Sequence, residues 1–109
     1  MLFNLNSGSV NVAEDTRGAK VPVVVSVTNT AANALSANPN RACYSMFNTG
    51  PATVFMREGA AVTSTLYDVQ IPPGFYWKED FPSARYLGVI SVITASGTAS
   101  LLVSEGALS

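Results

Sequence analysis

The sequence predicts an all-β protein: an antiparallel β-sandwich of eight or nine short strands, with a jelly roll as a candidate form. Thirteen Val, three Ile, nine Thr and ten aromatic residues fall in short runs, and these are the side chains that pack well on a pleated surface. Clusters of Gly, Pro, Asn and Ser separate the runs at roughly 8–12 residue spacing, the cadence of a sandwich or barrel. No long stretch repeats apolar positions at i, i+3, i+4 and i+7 with good helix formers, so a parallel sheet would have no helices for its crossovers.

Taken in order, Leu2 to Asn6 and Ser9 to Ala13 are weak strand candidates. Val21 to Thr28 reads as a strand whose consecutive valines suit coverage on both faces, while Pro22 points to an edge or a strand start. Asn29 to Asn40 has no bulky residue but Leu35 and reads as a loop, with one helical turn at Ala31 to Leu35 as the alternative. Strand residues resume at Arg41, and Asn48-Thr49-Gly50-Pro51 is expected to reverse the chain into a paired strand, Ala52 to Arg57. Thr65 to Ile71 alternates Tyr67, Val69 and Ile71 against Leu66, Asp68 and Gln70. Pro72-Pro73-Gly74 then predicts a type II turn. A short aromatic strand, Phe75 to Trp77, precedes a polar loop at Lys78-Glu79-Asp80 and Pro82-Ser83. Arg85 to Thr94 reads as a long strand in which Gly88 marks a bulge or a close neighbour. Ser96-Gly97 turns it into Thr98 to Ser104.

With 109 residues the chain is expected to form one domain, residues 1–109, with residues 1–20 as an extended N-terminal arm outside the strand cadence. Only 12% of residues are charged, about half the usual share, so twelve Ser, nine Thr and eight Asn must wet the surface. A surface with so little charge repulsion favours association between copies. Six Lys+Arg against seven Asp+Glu leave a net charge of -1, which argues against nucleic acid as a partner. The N-terminus lacks the pattern of a secretory signal and Val21 to Val27 is too short to span a bilayer, so the expectation is a soluble chain with no membrane partner. A lone Cys43 fits folding in a reducing cytoplasm.

Catalysis has few residues to draw on. With no His and one Cys, a Ser-His-Asp triad, a Cys-His dyad and a Cys/His zinc site are excluded. The pairs Glu14-Asp15 and Glu79-Asp80 fall in expected loops, where adjacent carboxylates are simply solvated, and neither has a calcium-loop ladder. The eight glycines form no phosphate-binding motif; their spacing suits turns, apart from Gly88 within its strand. No catalytic, cofactor or metal residue is assigned, and the protein is expected not to be an enzyme. Structural turns are assigned to Gly50, Pro51, Pro72, Pro73, Gly74 and Gly97. The surface candidates are Phe75, Tyr76 and Trp77 with Phe81 and Tyr86 nearby. Alternation turns Tyr76 away from Phe75 and Trp77, so the cluster is either core capped by Tyr76, a protein interface, or a platform for sugar rings.

The run Arg41-Ala42-Cys43-Tyr44-Ser45-Met46-Phe47-Asn48-Thr49-Gly50, with Val54 to Gly59, Ile71-Pro72-Pro73-Gly74, Tyr86 to Ile90, and Ser96-Gly97-Thr98-Ala99 to Glu105, resembles a pattern in small tailed-phage virion proteins. The likeness covers about the last two thirds and resembles a capsid cement or decoration protein. It implies a β-sandwich that oligomerises, as a trimer in the family picture, on the outer surface of an assembled head. The partners would be the major capsid protein and other copies of the chain, with the protein made in the host cytoplasm and carried on the virion. A tail or head-fibre module that binds host-surface glycan is the alternative.

Overall fold

The computed structural model describes residues 18–80 and 84–108. The expected strands at Leu2 to Asn6 and Ser9 to Ala13, most of the proposed arm, Glu14-Asp15 and Phe81 lie outside the described residues. Eight strands are present: β1 (Val23–Val27), β2 (Ala32–Leu35), β3 (Arg41–Pro51), β4 (Val54–Glu58), β5 (Val69–Ile71), β6 (Tyr76–Asp80), β7 (Ile90–Thr94) and β8 (Ala99–Ala107). They form two four-stranded sheets, ordered β1-β8-β3-β6 and β2-β7-β4-β5, and every pairing is antiparallel. β1 pairs with β8, β2 with β7, β3 with β6 and β4 with β5. The chain is thus one long antiparallel ribbon, out through β1 to β4 and back through β5 to β8, rolled into two layers: a jelly roll.

That topology corrects the expected hairpins. Residues 48–51 do not return β3 onto β4, because β4 lies in the other sheet and β3 pairs with β6 and β8. Gly50-Pro51, a cis peptide, still belongs to β3 and pairs with Ser100 and Ala99. Gly97 likewise turns the chain from one sheet into the other. The Pro72-Pro73-Gly74 turn forms as expected: Phe75 N donates to Pro72 O at 3.0 Å, and Gly74 takes φ +83°, the type II geometry that glycine alone adopts without strain.

Four element boundaries differ from the sequence reading. Residues 32–35 form β2 despite weak strand formers, because β7 offers them a backbone edge. Residues 63–66 form a turn in which Thr63 Oγ1 accepts from the N–H of Thr65 and Leu66, so only Val69–Ile71 remains strand. The charged Lys78-Glu79-Asp80 continues β6, since at a sheet edge such side chains reach water while the backbone pairs with β3. Arg85 to Val89 is not strand: Arg41 takes the carbonyls of Tyr86 and Gly88, and the Tyr86 hydroxyl takes that of Val89. A Cβ at residue 88 would lie 2.5 Å from the Tyr86 hydroxyl, so a side chain there would have to push that ring from its bond to Val89 O.

The core lies between the sheets. Val27, Tyr44, Met46, Leu101 and Val103 from the first sheet meet Val54, Met56, Ile71, Ile90 and Val92 from the second. Two buried polar residues fasten the layers to the connections. Arg41, fully buried, donates Nε to Glu105 Oε2 at 2.6 Å, Nη1 to Tyr86 O and Gly88 O at 3.0 and 2.8 Å, and Nη2 to Ser36 O at 2.6 Å. Asn48, equally buried, donates Nδ2 to Ala52 O and Ile71 O and accepts the Gly50 N–H on Oδ1, all within 2.8 Å. Both satisfy carbonyls that a strand crossing between sheets would otherwise leave unpaired.

Candidate functional site

The aromatic candidates separate in the structure. Phe75 lies in the turn before β6 and is 61% exposed, so it is not core. Tyr76 is 58% exposed on the outer face. Trp77 points the other way and packs against the core, as does Tyr86. The buried indole N–H of Trp77 meets no acceptor at full hydrogen-bond geometry, although it interacts with the Tyr44 hydroxyl. Tyr44 donates to Glu58 Oε2 at 2.7 Å. Burial first, and then that hydrogen bond, push its phenol well above the ordinary range. Residue chemistry therefore places one aromatic of β6 outside and one inside, as alternation requires, while Phe75 escapes the alternation because it precedes the strand.

The register places Tyr76 in a larger feature. Val24 is opposite Leu102, Leu102 opposite Phe47, and Phe47 opposite Tyr76. Directly opposed residues share a face, and Tyr44 and Met46, which flank the outward positions of β3, point into the core. Four apolar side chains thus cross the whole outer face of the first sheet in one row. Val24 is 67%, Leu102 37% and Tyr76 58% exposed, with Phe47 half-buried. On one side the neighbouring positions are Ser26 and Ser100, and on the other Ser104, Ser45 and Lys78. Lys78 Nζ is held by Asp80 at 2.8 Å, and Ser45 accepts from Lys20. A contiguous apolar strip framed by hydroxyls is the composition of a contact surface.

Sequence reasoning found Tyr76 and missed the other three. Two runs carried a readable signal: in Val23-Val24-Val25 and Leu101-Leu102-Val103 the middle residue must turn away from its neighbours in any strand.

A second feature opens beside the row. The inner sides of β1 and β2 do not close on each other, leaving a groove of about 340 Å³ lined by Val21, Val23, Ala34, Leu35, Val103 and Glu105. Its one ionisable group, Glu105, is committed to Arg41. Glu79 and Asp80 lie on strand β6, not in a loop, and Asp80 pairs with Lys78. Cys43 is buried and free. Among the described residues no group of three or more His, Cys, Asp or Glu side chains is placed to share a metal ion.

No family model matches the chain, and no curated protein matches it. Among solved structures the chain is similar to one from the Bacillus endospore appendages, described as a novel family of disulfide-linked pili. The alignment covers 88% of this chain and 91% of that one, at 16% identity and a TM-score of 0.48. That structure is not a phage decoration protein, and the resemblance to such proteins gains nothing from it.

Proposed function

We propose that this protein is a structural component that acts in many copies through non-covalent surface contacts and carries out no catalysis. The observation that supports this is the apolar row Val24, Leu102, Phe47 and Tyr76 on the outer face of a rigid two-layer sandwich. Water is expelled when such a row is covered, which stabilises contact by about 25 cal/mol for each Å² removed from solvent. The surrounding hydroxyls both donate and accept, so another neutral surface meets no repulsion. Sedimentation of the full chain over a wide concentration range tests this. Self-association that weakens in Val24→Ser, at the end of the row on the free edge of the sheet, supports the reading. A monomer of 11.4 kDa at every concentration, with no binding to virion or appendage surfaces, defeats it.

The finer form of the proposal, decoration of an assembled phage head through its major capsid protein, rests on the sequence resemblance. A protein that binds only the assembled shell stabilises it by mass action. Heads lacking it should form and then release their genome at lower temperature, and equal heat resistance removes the decoration role. The exposed pair Phe75 and Tyr76 favours a second reading, stacking on a host glycan. A glycan array on the full chain, with Tyr76→Ser as control, tests it.

A further inference from the structure

We infer that β1 is a pairing edge for a second copy of this chain, and that two copies join β1 to β1, antiparallel about a two-fold axis at Val24, into one continuous eight-stranded sheet. This deepens the reading of the protein as a self-associating structural component, and rests on it.

The four sheet edges are not alike. β5 is three residues long, and β2 is four residues long with a register break. β6 carries Lys78, Glu79 and Asp80. Short length, irregularity and charge are the devices that keep sheet edges from pairing with other chains. β1 has none of them. Its five residues are Val-Val-Val-Ser-Val, in unbroken register with β8, and among the described residues nothing pairs with its other side. Its first two valines are exposed on opposite faces, Val23 at 56% and Val24 at 67%, although valine is a residue suited to a covered strand.

The occupant follows from charge and continuity. A two-fold axis sets each residue on the axis against itself, so any charge there would repel its copy; β1 has no charge, and its edge is compatible with itself. Centring the axis on Val24 places Val23 opposite the second copy's Val25 on the inner side, where Val23 already lines the groove. On the outer side it brings the two apolar rows end to end, from Tyr76 of one copy through both Val24 side chains to Tyr76 of the other. Pro22 then falls opposite Ser26 and ends the ladder, since proline has no N–H to give. A ladder this short makes a weak, concentration-dependent contact, suited to a protein that gains strength from repetition.

Cross-linking in the full chain tests the axis. In Val24→Cys the two opposed Cβ atoms would be about 5 Å apart, close enough for a disulfide after a small adjustment. Leu102→Cys, one strand further in on each copy, leaves them about 14 Å apart. Tyr76→Cys is further still. Buried Cys43 is the shared background, measured in the unmodified chain. The expected result under mild oxidation is a dimer of twice 11.4 kDa for Val24→Cys alone. In addition, Val24→Lys and Val24→Asp should each be monomeric and should dimerise when mixed. Cross-linking by Leu102→Cys or Tyr76→Cys as readily as by Val24→Cys means that copies meet through the sheet face, which overturns the edge pairing and leaves self-association standing. A trimer overturns the two-fold axis. A monomer in every variant and in the unmodified chain overturns both the pairing and the self-association it rests on.

Discussion

Replacing Arg41 by Met isolates what one buried cation does for this fold. The guanidinium makes four hydrogen bonds, one to Glu105 and three to the carbonyls of Ser36, Tyr86 and Gly88, and the side chain has no exposure of its own. Bonds to a charged group contribute about 1.5–3 kcal/mol each, so four of them would equal a large part of the roughly 5–15 kcal/mol that holds a domain together. The realised loss is smaller, because the Glu105 side chain is 24% exposed and regains water once its partner is gone. Removing one partner of a buried ion pair costs about 3–5 kcal/mol, and methionine fills most of the space without an unpaired charge of its own. Urea unfolding should show that loss as a lower midpoint with an unchanged slope. In thermal unfolding, where a domain near 100 residues moves about 4–8 °C per kcal/mol, the fall should exceed about 12 °C. Adding Glu105→Leu to Arg41→Met should recover part of the loss by removing the stranded carboxylate. A cost under about 1 kcal/mol for Arg41→Met would refute the claim that this side chain ties the 85–88 connection to β3 and β8.

Leu101→Ala should cost about 2–5 kcal/mol and Leu102→Ala little, because adjacent residues of β8 face the core and the solvent; denaturation of the pair checks the face assignment. Asn48→Ala should cost about 2–4 kcal/mol in the same assay, since it leaves the carbonyls of Ala52 and Ile71 and the Gly50 N–H without the partner that now joins them. Tyr44→Phe should lose about 1 kcal/mol at neutral pH. Because the folded phenol is held above its ordinary value, the stabilising difference is fully present below about pH 10 and declines above it, as the unfolded chain ionises first. The gap between wild type and Tyr44→Phe should therefore narrow in alkaline unfolding. Val24→Ser, at an exposed edge position, should cost no more than about 1 kcal/mol of stability while weakening self-association, a separation read by unfolding and sedimentation on one sample.

What the sequence by itself determined was local. β-branched and aromatic runs between turn residues made the fold all-β, Pro72-Pro73-Gly74 set a type II turn, and alternation put Tyr76 on the face opposite Trp77. Each depends on residues within a few positions of one another. Partner choice was not local, and only the tertiary structure decided it. In this jelly roll every connection except β4 to β5 passes from one sheet to the other, so reading neighbouring strands as hairpins fails at Gly50-Pro51 and at Gly97. The row of Val24, Leu102, Phe47 and Tyr76 was hidden for the same reason: its members come from four strands spread over residues 24–102, and their shared face exists only once the register does. Arg41 was equally silent, because a charged residue at a strand start reads as solvated until the connections on both sides fold over it and bring four acceptors to its guanidinium. Hydrogen-bonding capacity is written in the chain, but the partners that satisfy it are chosen by the packing of the two sheets.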